Sequence, residues 1–395
     1  MNLFIQRNIG LLVSGFVFVA TLLSVTIAVS IMGFETTTDA TSVRSIYLGN
    51  VESTNIESVL NTQMTAYTQD ATLIFTYQGR LFQRDLTFLT PDVGATIASL
   101  TTGVNNQAVF RFSPAAEQAL LSELQANFSP DIVAALDVNA LNAFIVTSAN
   151  NMQRFNTVEL TQFMRPNAIR RLNTVTLNNL SPIDGLTIIS SVQRFDVAGS
   201  ERFSLLAHTA STGLRNDQLS ILASGIQGLM LPTSAASFRS TMDVTKPTWY
   251  QPGMNVRVLQ LLEQDFSFVN VYDSELEIRL IASNNNTSLT FELWGFPTLN
   301  QYSSSSQQTL TLSYATNVIN DPALTVTTPG ITVTETDTQI TLELVVGPGV
   351  NGSVVDVFRT ITPRGESSFT RQIIREFYPS QPATVRRLVI DKEVD

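Results

Sequence analysis

The most apolar long stretch of this sequence runs from Ile9 to Phe34 and contains no Asp, Glu, Lys or Arg. A helix of about 20 apolar residues crosses the hydrocarbon core of a bilayer, so this stretch predicts a transmembrane helix. Arg7 precedes it and Glu35 follows it. Because basic residues favour the cytoplasmic side, we predict a single-pass protein of the cell membrane with a cytoplasmic N-terminus and an extracytoplasmic remainder.

Two other interpretations of the stretch stay open. A cleaved secretory signal has an apolar core of about 7–15 residues and ends at a small-residue cleavage site. This stretch is longer and ends in Met32-Gly33-Phe34, which is a poor site. A buried helix at the extreme N-terminus is the second alternative.

The composition favours folded domains and excludes several functional classes. Of 395 residues, 44% are apolar and 14% are charged, which is typical of globular chains. The net charge of -10 and the presence of only two lysines, Lys246 and Lys392, argue against nucleic-acid binding. The absence of cysteine and the single histidine, His208, exclude disulfides, thiolate zinc sites and two-histidine metal sites within one chain. We predict no metal and no cofactor.

The order of helical and alternating patterns predicts an α+β fold class. The stretch Gln218–Leu231 predicts a buried helix, whereas Gly, Pro and Asp break up the strand patterns after residue 322. The predicted parts are residues 1–34, cytoplasmic tip and transmembrane helix; 35–52, spacer; 53–172, α+β domain; 173–297, mixed α/β domain; 298–321, linker or exposed strand pair; and 322–395, small all-β domain. The predicted strands of the central domain are Leu186–Val192, Asn255–Leu262, Asp265–Val271, Glu275–Ala282 and Thr287–Trp294.

Five short motifs in the central domain resemble those of the VanW-like domain of bacterial envelope proteins. Their order matches the family, although each motif alone is weak. They are Gly199–Ser204 (GSERFS), Leu222–Ile226 (LASGI), Tyr250–Gly253 (YQPG), Asp265–Asn270 (DFSFVN) and Leu293–Gly295 (LWG).

The flanking regions resemble the domains that accompany the VanW-like domain. Residues 86–97 (LTFLTPDVGATI) are similar to a domain type associated with peptidoglycan binding. In the tail, Gly349, Gly352, Arg359, Gly365 and Tyr378-Pro379 resemble the G-five type of β domain. This resemblance implies an envelope protein that binds peptidoglycan or another glycan.

The sequence departs from the family at its cysteine and histidine positions. The cysteine position falls on Ser220 and the histidine region on Thr241 to Asp243. If those residues perform chemistry in the family, this chain has lost it, which favours a protein that is not an enzyme. A hydrolase remains an alternative, with Ser220, His208 and Asp243 as candidate catalytic residues, although no Gly-x-Ser-x-Gly motif supports it.

Acid pairs and aromatic residues supply the other candidate sites. Glu263 with Asp265, and Glu275 with Glu277, could serve a glycosidase only if folding brings the carboxyl groups to the right separation. The aromatic side chains of Trp249, Tyr250 and Trp294 are candidates for stacking on a sugar. The structural alternative is that these aromatics fill cores and turns.

We therefore predict a membrane-anchored, non-catalytic protein that binds cell-wall or surface glycan or acts as a scaffold for an envelope complex. A second hypothesis is an accessory subunit of an integral membrane complex. In that case the anchor would dock on membrane-protein subunits through Gly10, Ser14, Gly15 and Ala20, because small residues allow helices to approach closely.

Overall fold

The computed structural model describes residues 39–392, which form two compact units. The first unit consists of residues 39–127 and 136–163, and the second of residues 128–135 and 164–392. Residues 128–135 thus belong to the second unit although they lie within the predicted domain 53–172.

The predicted membrane-spanning architecture requires correction. Among residues 39–392, no helix is long and apolar enough to cross a membrane. The stretch Ile9–Phe34, on which the prediction rested, lies outside the described residues. The predicted fold class with its transmembrane helix, and the single-pass location in the cell membrane, are therefore wrong for the described chain. The described residues instead form several small sheets, and more of these residues lie in strands than in helices.

The first unit combines helices with short sheets. Strands β3 (Thr72–Tyr77) and β4 (Arg80–Asp85) form a hairpin, with Gln78 and Gly79 at positive φ in its two-residue turn. Strand β8 (Phe155–Glu159) pairs in parallel with β3. The helices are α1 (Ser53–Asp70), α2 (Val93–Ala98), α3 (Pro114–Asn127) and α5 (Val138–Asn150). The other strands are β1 (Ser42–Val43), β2 (Ile46–Tyr47), β5 (Thr90–Pro91), β6 (Asn105–Asn106), β7 (Phe110–Arg111) and β8 (Phe155–Glu159).

The second unit contains a central module built on a four-stranded antiparallel sheet in the order β10-β14-β15-β9. Its strands are β9 (Arg170–Leu177), β10 (Arg194–Val197), β14 (Leu276–Ala282) and β15 (Leu289–Gly295). A smaller sheet contains β11 (Arg202–Ser204), β12 (Ala236–Arg239) and β13 (Ser267–Val269). The helices of this unit are α4 (Pro130–Ala134), α6 (Pro182–Ser191), α7 (Leu205–Thr209) and α8 (Asn216–Met230).

Helix α8 lies against the inner face of the four-stranded sheet. Twelve of its fifteen residues are buried, and the side chain of Gln218 accepts a hydrogen bond from the Arg215 N–H at its start. Small residues allow the close approach: a Cβ on Gly225 would lie 2.2 Å from the Phe291 ring. The sheet register places Phe195, Ile278 and Leu293 on the inner face, so neighbouring residues on these strands point outward.

The C-terminal part of the second unit is a β module of two sheets, with strand orders β16-β20-β21 and β17-β22-β19-β18. Its strands are β16 (Gln301–Leu312), β17 (Thr316–Asn320), β18 (Thr332–Glu335), β19 (Gln339–Gly347), β20 (Gly352–Thr362), β21 (Phe369–Tyr378) and β22 (Ala383–Asp391). Strands β16 and β17 occupy the segment 298–321 but do not pair with each other. The segment therefore forms two strands and is not a linker.

Two predicted strands of the central module are wrong. Residues Leu186–Val192 lie mainly in helix α6, which begins at Pro182 after Ser181. Pro at the first helical position favours a helix start, and this signal outweighs the β-branched residues that follow. Residues Asn255–Leu262 make only isolated bridges and a short 3-10 turn, Gln260–Leu262.

Candidate functional site

The three residues of the hydrolase hypothesis each have a separate structural role. The Ser220 hydroxyl donates to the Asn216 carbonyl at 2.6 Å and accepts the Val258 N–H at 3.0 Å. His208 is exposed, with Nδ1 2.7 Å from the Ser204 carbonyl oxygen. The Asp243 carboxylate accepts from Thr245. No hydrogen bond among residues 39–392 joins any two of these three side chains, so the structure does not assemble them as a triad.

Two of the aromatic candidates belong to the interior of the second unit. Trp249 is half-buried and packs against the core beneath the central sheet. The Tyr250 hydroxyl donates to Glu376 at 2.8 Å, and its ring meets that of Tyr378 edge to face. These contacts favour the structural role of the two side chains that the sequence left open.

Glu376 lies at the centre of these contacts between the β module and the central module. Its side chain is 1% exposed and also accepts the Gly253 N–H at 3.1 Å. Burial raises the pKa of the Glu376 carboxyl, against the opposing effect of the hydrogen bonds from Tyr250 and Gly253. Gly253 has a φ of +81°, so a side chain at this turn would be strained.

Arg359 makes a second connection between the two modules. The guanidinium donates to the carbonyls of Leu231 at 2.7 Å, Ala235 at 2.8 Å and Met230 at 3.2 Å. These carbonyls lie at and just beyond the end of helix α8, where a helix leaves acceptors without intrahelical partners. Burial lowers the pKa of Arg359 to about 10. Its partners are carbonyl oxygens, so its role here is to hold the end of a helix.

The third aromatic candidate, Trp294, lies on the outer face of the central sheet in a cleft of about 370 Å³. The Arg279 guanidinium lies 4.2 Å from the centre of the indole ring, and the indole N–H donates to Glu292 at 2.9 Å. The cleft is lined by Ile169, Arg194, Asp196, Glu275, Glu277, Trp294 and Phe296.

The strand register explains why these residues meet. Asp196, Glu277 and Trp294 lie opposite one another across β10, β14 and β15, and Arg194 and Arg279 form the next row with Glu292. All of these residues face away from helix α8. The outer surface of the sheet therefore places the Trp294 ring in a row with two acidic residues, next to a row that contains two arginines.

The charges of the cleft are fixed by bidentate and bridging contacts. Glu277 accepts two hydrogen bonds from Arg279, at 2.8 and 2.7 Å, and lies 3.4 Å from Arg194. The hydrogen bond from Arg279 lowers the pKa of Glu277, and the one from Arg171 lowers the pKa of Glu292. Both carboxyls are therefore charged near neutral pH and act as hydrogen-bond acceptors, a state that does not suit a general acid.

The two acid pairs differ in where the fold places them. Asp265 accepts the Ser204 hydroxyl at 2.6 Å and the Leu206 N–H at 3.0 Å, so it holds the start of helix α7. Glu263 lies in a turn at positive φ. Glu275 and Glu277 both line the Trp294 cleft.

Trp294, Glu275 and Glu277 were candidates from the sequence, whereas Arg194, Arg279 and Asp196 were not. The missing signal was the pairing of strands far apart in the chain: β10 ends at Val197 and β14 begins at Leu276. Alternation within β14 places Glu277 and Arg279 on one face, so that pair alone could have been predicted.

No known family profile matches this sequence, and no curated protein sequence does so either. Among solved structures, part of the chain is similar to G5 domains. The G5 domain of an IgA1 protease is 16% identical to this chain. The match covers 22% of this chain and 86% of the G5 domain, with a TM-score of 0.16. The HP0197 G5 domain is 13% identical to this chain. The match covers 22% of this chain and 96% of that domain, with a TM-score of 0.13. Similarity at these TM-scores carries no argument about the site.

Proposed function

We propose that this protein is a non-catalytic binding protein that holds a glycan in the Trp294 cleft. The observation that carries the proposal is the indole of Trp294, set among charged side chains in a cleft of about 370 Å³. Ligand sites typically combine apolar surface with a few fixed polar groups. An aromatic ring offers apolar surface to the C–H face of a sugar, while carboxylates accept from its hydroxyls and guanidinium groups donate to them.

The lack of catalysis belongs to the same proposal. Both hydrogen-bonding roles of the Ser220 hydroxyl are filled by backbone groups, and Glu277 is held as a carboxylate by Arg279. A nucleophile needs a base within hydrogen-bond reach, and a glycosidase needs an acid that keeps its proton. The contacts of Ser220 do not favour a nucleophile, and those of Glu277 do not favour an acid that keeps its proton.

We further propose that residues 173–297 are a VanW-like domain. The support is that several motif residues have structural roles that restrict their identity. A Cβ at Gly199 would lie 2.1 Å from the Asp273 carbonyl oxygen, and Gly253 requires positive φ. Gly295 follows Trp294 where a Cβ would meet Leu276 at 2.7 Å.

Tryptophan fluorescence of the full chain can test glycan binding directly. The sequence has only two tryptophans, so Trp249→Phe leaves Trp294 as the single reporter. We expect soluble peptidoglycan fragments or chitotetraose to change the emission of this variant. In calorimetric titration, Trp294→Ala should weaken binding at least tenfold, about 1.4 kcal/mol.

The matched control is the Trp249→Phe variant itself, whose affinity should equal that of the unmodified chain. A glycan that binds equally well to Trp294→Ala would place the site elsewhere. If the unmodified chain binds none of the peptidoglycan, chitin or glucan fragments, the glycan proposal is wrong.

A further inference from the structure

Strand β16 is a long edge strand with one side open. It spans twelve residues, Gln301–Leu312, ten of which are exposed. It forms the end of the sheet β16-β20-β21, and within residues 39–392 it pairs only with β20. Alternate backbone N–H and C=O groups of an edge strand point away from its sheet, so they are available to another strand.

The sequence of β16 lacks the features that usually protect an edge. Gln301–Leu312 (QYSSSSQQTLTL) contains no charged residue and no proline. The other edge strands of more than five residues in the described ranges all carry arginine: β4 contains Arg80, β9 contains Arg170, and β21 contains Arg371. Charges and prolines on an edge disfavour pairing with a second chain, so β16 is distinguished from these longer edge strands by their absence.

The regular part of the strand is long enough for specific pairing. Its one irregularity, between Gln308 and Leu310, leaves the eight residues Gln301–Gln308 in continuous register with β20. The centre of this segment is a run of four serines, Ser303–Ser306. Small hydroxyl side chains allow a second strand to approach and can hydrogen-bond across a strand pair.

We propose that β16 is a homodimerisation strand that pairs antiparallel with β16 of a second copy of this chain. A two-fold axis at Ser304 or Ser305 pairs that serine with itself in the second copy and sets its two serine neighbours against each other. The chain carries a net charge of -10, so two copies repel each other overall. An uncharged strand avoids that repulsion, which favours a second copy over a charged peptide as the occupant.

Cysteine cross-linking of the full chain tests the pairing. Because the sequence contains no cysteine, each introduced thiol is unique. We expect single substitutions from Ser303→Cys to Ser306→Cys to give disulfide-linked dimers on mild oxidation, most efficiently at the position nearest the two-fold axis. Thr316→Cys on β17, an exposed strand of the other sheet, is the matched control and should remain monomeric.

Sedimentation velocity provides the second measurement. The unmodified chain should show a concentration-dependent monomer–dimer equilibrium. Replacing Ser304 and Ser305 by lysine should weaken that equilibrium at least tenfold, because like charges would then face each other across the axis. The Thr316→Lys control should leave it unchanged.

Each result decides the proposal. A chain that remains monomeric across the accessible concentration range overturns it. So does a dimer that persists in the lysine variant, since association through any other segment, including residues 9–34, would survive that change. Circular dichroism of the lysine variant confirms that loss of the dimer is not loss of the fold.

Discussion

The carboxyl group of Glu376 is the buried acid that joins the β module to the turn at Gly253. A carboxyl whose pKa is raised on folding binds its proton more tightly in the folded state than in the unfolded state. Its contribution to stability is therefore fully present below the unfolded pKa, about 4.3 for Glu. It is lost as the pH rises through the folded pKa.

We predict that Glu376→Gln stabilises the protein relative to the unmodified chain by an amount that grows as the pH rises from 4 to 8. The glutamine carbonyl can accept the Gly253 N–H, and its amide can donate to the Tyr250 oxygen, without placing a charge in the interior. Urea unfolding at a series of pH values measures the difference, in which the titration of all other groups cancels.

An unchanged slope of unfolding free energy against urea serves as the control, because it shows that both variants expose the same surface. A difference that stays constant or shrinks with rising pH would contradict the raised pKa of Glu376.

At the scale of the element, helix α8 depends on small residues where it faces the sheet. We predict that Gly225→Ala destabilises the protein by about 1–3 kcal/mol. Alanine favours a helix over glycine by about 1 kcal/mol, but the new Cβ would lie 2.2 Å from the Phe291 ring, so either the helix or the ring must move. Thermal or urea unfolding measures the change.

Gly94→Ala in helix α2 is the matched control. Its Cβ would meet only Asp92, at 3.8 Å, so this substitution should be neutral or stabilising. If Gly225→Ala were as stable as that control, helix α8 would have room that the structure does not show.

The elements that could be predicted from the sequence are those with a strong local pattern. Strands β14 and β15 alternate inner apolar and outer polar residues, and helix α8 has a continuous buried pattern, so all three were predicted close to their observed bounds. The run Leu186–Val192 was misassigned because β-branched residues suit a strand, while the surrounding packing and Pro182 place it in a helix.

The candidate site could be predicted only in part for a related reason. Trp294 and Glu277 could be identified from the patterns of their own strands. The cleft also needs Arg194 on β10, which lies 82 positions before Leu276, the first residue of the paired strand β14. Pairing between distant strands depends on the whole sheet, and a single sequence does not contain it. The same applies to Arg359, which contacts a helix far earlier in the chain.

At the scale of the whole molecule, Arg359 and Glu376 connect the β module to the central module within one compact unit. We predict that Arg359→Met destabilises both modules together, by about 3 kcal/mol, because three carbonyls at the end of helix α8 lose their donors. Hydrogen exchange should then quicken by a similar factor in helix α8 and in strand β20.

Arg257→Met, which removes an exposed arginine from the central module, is the matched control and should change exchange in neither helix α8 nor strand β20. Strand β3 belongs to the other compact unit and supplies an internal reference within the same sample. Faster exchange in β20 with no change in helix α8 would show that the two modules open independently.

The contacts of Arg359 also impose an order on events during synthesis. The arginine follows Leu231 by 128 positions, yet it completes the end of helix α8. Ribosomes add about 5–20 residues per second, so roughly 6–26 seconds pass between the two residues. Throughout that interval the nascent central module exposes the carbonyls of its main helix. The β module, which begins at Gln301, therefore acts on the central module as a late-arriving folding partner carried in the same chain.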